Sequence, residues 1–238
     1  TGLILNGYGP SVITAELEGG PSVTLTQGTD YPLSGKIDLR VDPSEAATFA
    51  LKLRVPYWSP RTRISLNGVR CCSPQAGSYV ALERRWQAGD TIQIDLDLSL
   101  RFWRGERECE GLTSVYRGPI LLAYDHRYNL DRAAGSSDET RTYDEWSAQT
   151  DVGLDVPEVD ARHMQERRVA WKDWLPPLLL LEYDATDGSP VRLCDYASAG
   201  VAGTPYVSWL PIRNSPSRRS KPAPKLAAPS SQQYNANS

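Results

Sequence analysis

The sequence predicts an all-β chain: two jelly-roll-like β-sandwich domains in tandem, with a long polar insertion in the second and a disordered C-terminal tail. Three observations carry this prediction. Apolar residues recur at every second position through the first hundred residues, which sets them on one face of an extended chain. Clusters of Pro, Gly, Asn and Asp turn the chain at intervals of about ten residues, the rhythm of a sandwich. No amphipathic helical pattern of useful length precedes residue 130, which sets aside doubly wound and bundle folds.

The elements follow in order. "SVTLTQ" and "KIDLRV" are strands, the second with Ile37, Leu39 and Val41 inward. "FALKLRV" turns Phe49, Leu51, Leu53 and Val55 to the same core, and "RISLNG" is a shorter strand. "TIQIDLDLSL" is the clearest case: Ile92, Ile94, Leu96, Leu98 and Leu100 point one way, while Thr91, Gln93, Asp95, Asp97 and Ser99 point the other. One apolar and one wet face is the pattern of an antiparallel sheet packed on a second layer. "EGGPS", "DYPLSG", "PYWSP", "LNG" and "QAGD" supply the turns,. The first sandwich is therefore placed at residues 1–102.

The second sandwich is placed at 103–213. It opens with "GLTSVYRGPILLAYD", where Pro119 cannot donate to a ladder and so belongs at a strand start, an edge or a bulge,. A polar, acidic insertion spans about 126–174, with a short helix predicted around "DARHMQERRVAW" from a weak stripe of Met164 and Val169,. Strands return in "LLLLEYDATDGSPVRLCDY", with "ATDGSP" as a hairpin turn, and "AGTPYVSWLPI" closes the folded part,. Residues 214–238 are poor in apolar residues and rich in Pro and Ser, which predicts disorder,.

At 238 residues and 40% hydrophobic content, the chain can bury a substantial core, as expected of a soluble globular protein. No apolar run reaches the ~20 residues of a membrane span; "PPLLLLEY" suits a buried strand. The chain opens at Thr1, and "TGLILNGYG" lacks the basic and long apolar regions of a signal peptide,. It reads as a piece of something longer, so the compartment is left open. There are 26 basic and 29 acidic residues; 213–238 holds five of the basic and none of the acidic ones, which puts a net −8 on the rest. An acidic body argues against a nucleic-acid partner, because phosphate binding needs a basic surface.

The most reactive-looking stretch is "NGVRCCSPQAG", read as a hairpin loop after "SLNG". On a regular strand the side chains of Cys71 and Cys72 would diverge. A disulfide between them is unfavourable, because neighbouring Cα atoms stand ~3.8 Å apart and a bridged pair usually needs at least ~4.4 Å. Cys109, Cys194, His126 and His163 are scattered singly, without the paired spacing of a zinc site,. Asp95 and Asp97 share the polar face of a strand, and Glu106, Glu108 and Glu110 lie in a charged loop or edge; both groups read as solvated carboxylates rather than the facing pair of a glycosidase. Trp58, Trp86, Trp103, Trp146, Trp171, Trp174 and Trp209 read as core plugs or turn anchors before sugar platforms, with Trp86 covering the end of the first sandwich. The sequence thus assigns no catalytic and no metal-binding residue, and leaves any ligand-binding residue unnamed.

Five strings in register carry a resemblance: "VTLTQGTDYPLSGKIDLRV", "FALKLRVPYWSPRTRISLNG", "SYVALERRWQAGDTIQIDLDL", "SVYRGPILLAYD" and "PVRLCDYASAGVAGTPYVSWLPI". Together they resemble the C-terminal half of glycoside hydrolase family 127, whose founding activity is that of a β-L-arabinofuranosidase. The resemblance implies a retaining reaction in an (α/α)6 barrel, with a zinc-bound cysteine as nucleophile and a glutamate as acid/base. None of those residues maps onto this sequence. It also implies that residues 1 to about 102 correspond to the family's middle sandwich and about 103 to 213 to its C-terminal domain. The barrel's adjacent cysteines precede the equivalent of "QGTDYP", whereas Cys71 and Cys72 follow it, so their role does not carry over. The expected function is the non-catalytic sandwich portion of such a hydrolase, with no cofactor of its own and zinc belonging to the barrel. Its expected partner is that barrel. An autonomous carbohydrate-binding module and a structural or oligomerisation module, pairing two copies, are the alternatives.

Overall fold

Side chains that alternate between apolar and polar give a sheet one face that must be buried against a second layer, and in the first part of the chain that layer is another sheet. The computed structural model describes residues 2–130, 154–172, 175–216 and the backbone of 231–235. It divides into two units, one of Thr1–Ser99 with the C-terminal segment and one from Leu100 to Ser220.

In the first unit the strands are β1 (Gly2–Leu5), β2 (Ser11–Glu16), β3 (Ser22–Thr29), β4 (Lys36–Pro43), β5 (Ala47–Val55), β6 (Arg63–Leu66), β7 (Val69–Cys72), β8 (Ser78–Trp86) and β9 (Asp90–Asp95). An antiparallel sheet runs β2-β3-β4-β9-β6-β7. The second sheet is centred on β5 and β8, paired antiparallel from Ala47 opposite Trp86 to Val55 opposite Ser78, with β1 parallel to β5. Between the sheets lie Val23, Leu25, Ile37, Leu39, Val41, Phe49, Leu51, Leu53, Val55, Val80, Leu82, Ile92 and Ile94, all buried in one core. Trp86 is also fully buried there; its Nε1–H donates to the Phe49 carbonyl at 3.0 Å. The indole fills the core rather than capping its end.

The "TIQIDLDLSL" strand is shorter than predicted. β9 stops at Asp95 because Asp97 leaves the ladder: its backbone N–H donates to Ser59 Oγ at 2.7 Å, and its carboxylate accepts Ser99 N–H at 3.0 Å. A local side-chain turn of this kind competes with strand pairing. Leu100 instead opens β10 of the next unit, three residues before the predicted start of the second domain.

The second unit contains β10 (Leu100–Arg104), β11 (Thr113–Arg117), β12 (Ile120–Asp125), β13 (Val159–Asp160), β14 (Arg167–Arg168), β15 (Leu180–Asp184), β16 (Pro190–Asp195), β17 (Tyr206–Val207) and β18 (Ile212–Arg213). A sheet runs β10-β11-β12-β16-β15-β14 with β17 also on β12, and β13 pairs β18 in parallel. Pro119 sits outside the ladder, in the two-residue turn between Arg117 and Ile120, preceded by Gly118 in the left-handed region. "ATDGSP" joins β15 to β16 as predicted, with Gly188 at positive φ.

One expectation needs correction. The segment around "DARHMQERRVAW" is no helix beyond a single 3-10 turn, Ala161–His163, followed by the two residues of β14. Asp160 binds the Arg162 N–H and guanidinium, which stops the chain in a turn. After β18, Asn214 donates to Asp160 and Ser215 receives Arg104. Ser231–Asn235 forms a further strand, β19, parallel to β8; residues 217–230 and 236–238 lie outside the described residues.

Trp86→Ala removes the largest fully buried side chain of the first core and its hydrogen bond to Phe49. The expected loss is about 3–5 kcal/mol of unfolding free energy, read from urea denaturation. A loss below about 1 kcal/mol would show that the indole is not a core element.

Candidate functional site

The two cysteines lie on a strand, not in a loop. Asn67 and Gly68, both at positive φ, form the two-residue turn between β6 and β7, as a type I′ hairpin requires. Asn67 is held there by Nδ2 donating to Asp90 and Oδ1 accepting the Thr91 N–H, both at 2.8 Å. The ladder pairs Leu66 with Val69, Ser65 with Arg70, and then Ile64 with Cys72. Cys71 has no residue opposite it and is the extra residue of a β-bulge. The bulge cancels the alternation that would separate the neighbours, so the two Sγ atoms lie 3.4 Å apart.

Cys72 is buried in the first core, while Cys71 is half-buried and donates its S–H to the Ile64 carbonyl at 3.4 Å. The hydrogen bond from Cys72 pulls the Cys71 thiol down to about 7, and the same contact, with burial, pushes Cys72 up. Cys109 ends a 3-10 turn and Cys194 is fully buried on β16, both in the second unit together with His126 and His163. Among the described residues, no three of His, Cys, Asp and Glu group so as to hold a metal ion.

The predicted carboxylates are tied to arginines. Asp95 pairs with Arg63 across β6 and β9. Asp97 receives Arg61 through Nε and Nη2 at 2.8 and 3.0 Å. Its side chain is only 7% exposed, so it is not the solvated strand carboxylate the sequence suggests. The Arg61 hydrogen bonds hold its carboxyl down at about 2. Glu106, Glu108 and Glu110 are exposed around the Arg107–Cys109 turn.

Three buried carboxylates escaped the sequence reading. Asp125 accepts Arg127 N–H, Gly200 N–H and Thr204 Oγ1–H at 2.8, 2.8 and 2.6 Å. Asp195 accepts Leu179 N–H, Ser198 N–H and Ser198 Oγ–H at 2.9, 3.0 and 2.8 Å. Asp160 takes Arg162, Arg213 and Asn214. Each ends a strand and caps a 3-10 turn. The repeated signal was an Asp closing an apolar strand, in "AYDHR", "EVDAR" and "LCDYA". Their donors are loop N–H groups, the Thr204 and Ser198 hydroxyls, the Asn214 amide and arginines, so the carboxylates fix loops and are engaged rather than poised for proton transfer.

Among the tryptophans, Trp58 and Trp86 are core, Trp171 and Trp209 are half-buried, and Trp103 is 39% exposed. Trp146 and Trp174 lie outside the described residues. The sequence did not single out Tyr196 and Tyr206, which are exposed with ring centroids 5.8 Å apart. Their planes meet at 74°, so they do not form a flat platform for a sugar face.

Residues 2–98 match the family model Beta-L-arabinofuranosidase, GH127 middle domain. The matched residues hold the first three of the strings that carry the resemblance in the sequence. No curated protein matches the chain. Among solved structures, a protein described as a glycoside hydrolase shares a TM-score of 0.67 at 19% identity, over 88% of this chain and 35% of its own. A GH127 beta-L-arabinofuranosidase from Geobacillus stearothermophilus T6 gives 0.65 at 19%, over 88% and 33%. The GH127 beta-arabinofuranosidase BT3674 gives 0.63 at 20%, over 88% and 34%. At these identities the likeness is one of fold. It extends past the matched residues into the second unit, and the chain spans about a third of each of these structures.

Because the Asp97 carboxyl is held at about 2, below an ordinary ~3.9, its contribution to stability is complete above about pH 4 and is lost as pH falls through 2. Arg61 is 73% exposed, so solvent screening limits the pair to about 1 kcal/mol. Asp97→Asn should therefore be about 1 kcal/mol less stable at pH 7, and the gap should close by pH 2, in urea denaturation across that range. A gap independent of pH would remove the ion pair from the account.

Proposed function

We propose that this chain is the non-catalytic β-sandwich portion of a glycoside hydrolase of family 127, acting with a helical catalytic barrel on β-L-arabinofuranosidic bonds. The match of residues 2–98 to the GH127 middle domain carries this reading. The shared fold of the second unit, within about a third of the length of family structures, supports it. So does the state of the buried carboxylates: Asp125, Asp160 and Asp195 are each held by three or more hydrogen bonds from surrounding loops, whereas glycosidic chemistry needs one carboxyl free to give or take a proton. The partner in this reading is the barrel. Zinc in this reading belongs to the barrel as well: the described residues here bring together no set of ligands that fits it, and no step is assigned to it in this chain.

The chain by itself, incubated with an aryl β-L-arabinofuranoside, should release no aglycone above the buffer blank. Turnover that disappears on substituting one residue of this chain would overturn the proposal. Added to a separately produced family-127 barrel, the chain should raise the barrel's thermal midpoint; no change would count against a supporting role.

A further inference from the structure

Among the described residues, strand β7 is the outermost strand of its sheet, so the bulge at Cys71 lies on an edge that no described strand covers. The separation of the two sulfurs, 3.4 Å, decides what they can do together. A disulfide needs ~2.05 Å and Cα atoms at least ~4.4 Å apart, which the ~3.8 Å step between neighbours does not give. Two thiolates sharing one tetrahedral ion at ~2.3 Å each stand about 3.8 Å apart, and a pyramidal centre with angles near 90° brings them closer still. The observed spacing matches a shared bound centre and not a bond.

We propose that Cys71 and Cys72 form a chelating dithiol on the sheet edge that takes a soft, thiophilic metal or metalloid centre. Soft thiolates select such centres. No third His, Cys, Asp or Glu joins the pair among the described residues, so the remaining positions of the bound centre stay with its own substituents. A trivalent arsenical, which needs two sulfurs and brings its third ligand with it, is the class that fits.

The order of events follows from the geometry. Cys71 is half-buried and Cys72 buried, so Cys71 is the sulfur that meets the reagent first. Cys72 follows from 3.4 Å. With phenylarsine oxide, two S–H bonds and the arsenic–oxygen double bond are exchanged for two As–S bonds and one water. Arsenic remains trivalent, and no oxidant or reductant takes part. The Cys71 contact to the Ile64 carbonyl is given up in the process.

The test is titration of the full chain with phenylarsine oxide, followed by intact mass and by the thiols left reactive to a chromogenic disulfide. One adduct per chain is expected, mapping to the peptide that holds Cys71 and Cys72, reversed by 2,3-dimercaptopropanol and resistant to excess 2-mercaptoethanol. Cys71→Ser should weaken binding on the order of a hundredfold, since a two-point attachment becomes single; Cys109→Ser should not change it. Cys72→Ser carries a risk to the core, so the peptide map of the unsubstituted chain stands as the independent readout. An adduct on another cysteine, reversal by the monothiol, or binding unchanged in Cys71→Ser would each overturn the proposal.

Discussion

The burial of every second side chain between β4, β5, β8 and β9 is the constraint on which the rest of the first unit depends. Leu51 and Leu53 on β5, Val80 and Leu82 on β8, Leu39 on β4 and Ile92 and Ile94 on β9 all face the same interior. Each such side chain contributes about 1.5–3 kcal/mol when fully buried. A one-residue slip of any of these strands would turn its whole apolar set to water, so the register is fixed by the core and not by the ladder bonds alone. Trp86 adds a lock between the two long strands of the second sheet, because its indole N–H reaches the Phe49 carbonyl across them.

That constraint also shapes the cysteine pair. Ile64 and Cys72 face each other across β6 and β7 and are both buried in the core, while the Asn67–Gly68 turn sets where the hairpin begins. The return strand has one residue more than the ladder can pair, and the surplus appears as the bulge at Cys71. The closeness of the sulfurs is therefore a consequence of core register and turn geometry acting on the same four-residue strand. In the second unit the equivalent role falls to carboxylates. Asp125, Asp160 and Asp195 each end a strand and gather the N–H groups of the loop that follows.

Alternation made most of the first unit legible, from Ile37 to Ile94, because a period of two is the direct signature of a half-buried strand. It failed where a single residue breaks the count. Periodicity cannot register the bulge, so Cys71 and Cys72 read as divergent or looped when they converge on a strand. It also ran on too far through Leu98 and Leu100, since the pattern continues in type after Asp97 has turned the chain away. Met164 and Val169 suggested a helix that the Asp160–Arg162 contact replaces with a turn. No pattern of apolar residues could announce the buried Asp caps; only their repeated place at strand ends could. Residues 2–98 match the GH127 middle domain, yet nothing in their spacing alone names a substrate, because specificity belongs to a pocket and the alternation reports only a core.

Amide hydrogen exchange under native conditions tests the central claim most directly. If the inward faces of β5 and β8 hold the first unit together, the amides of Leu51, Leu53, Val80 and Leu82 should exchange only through global unfolding and be the slowest in that unit. Those of the outer strands β2 and β7 should open locally and faster. Slower exchange in β2 or β7 than in β5 and β8 would contradict the account.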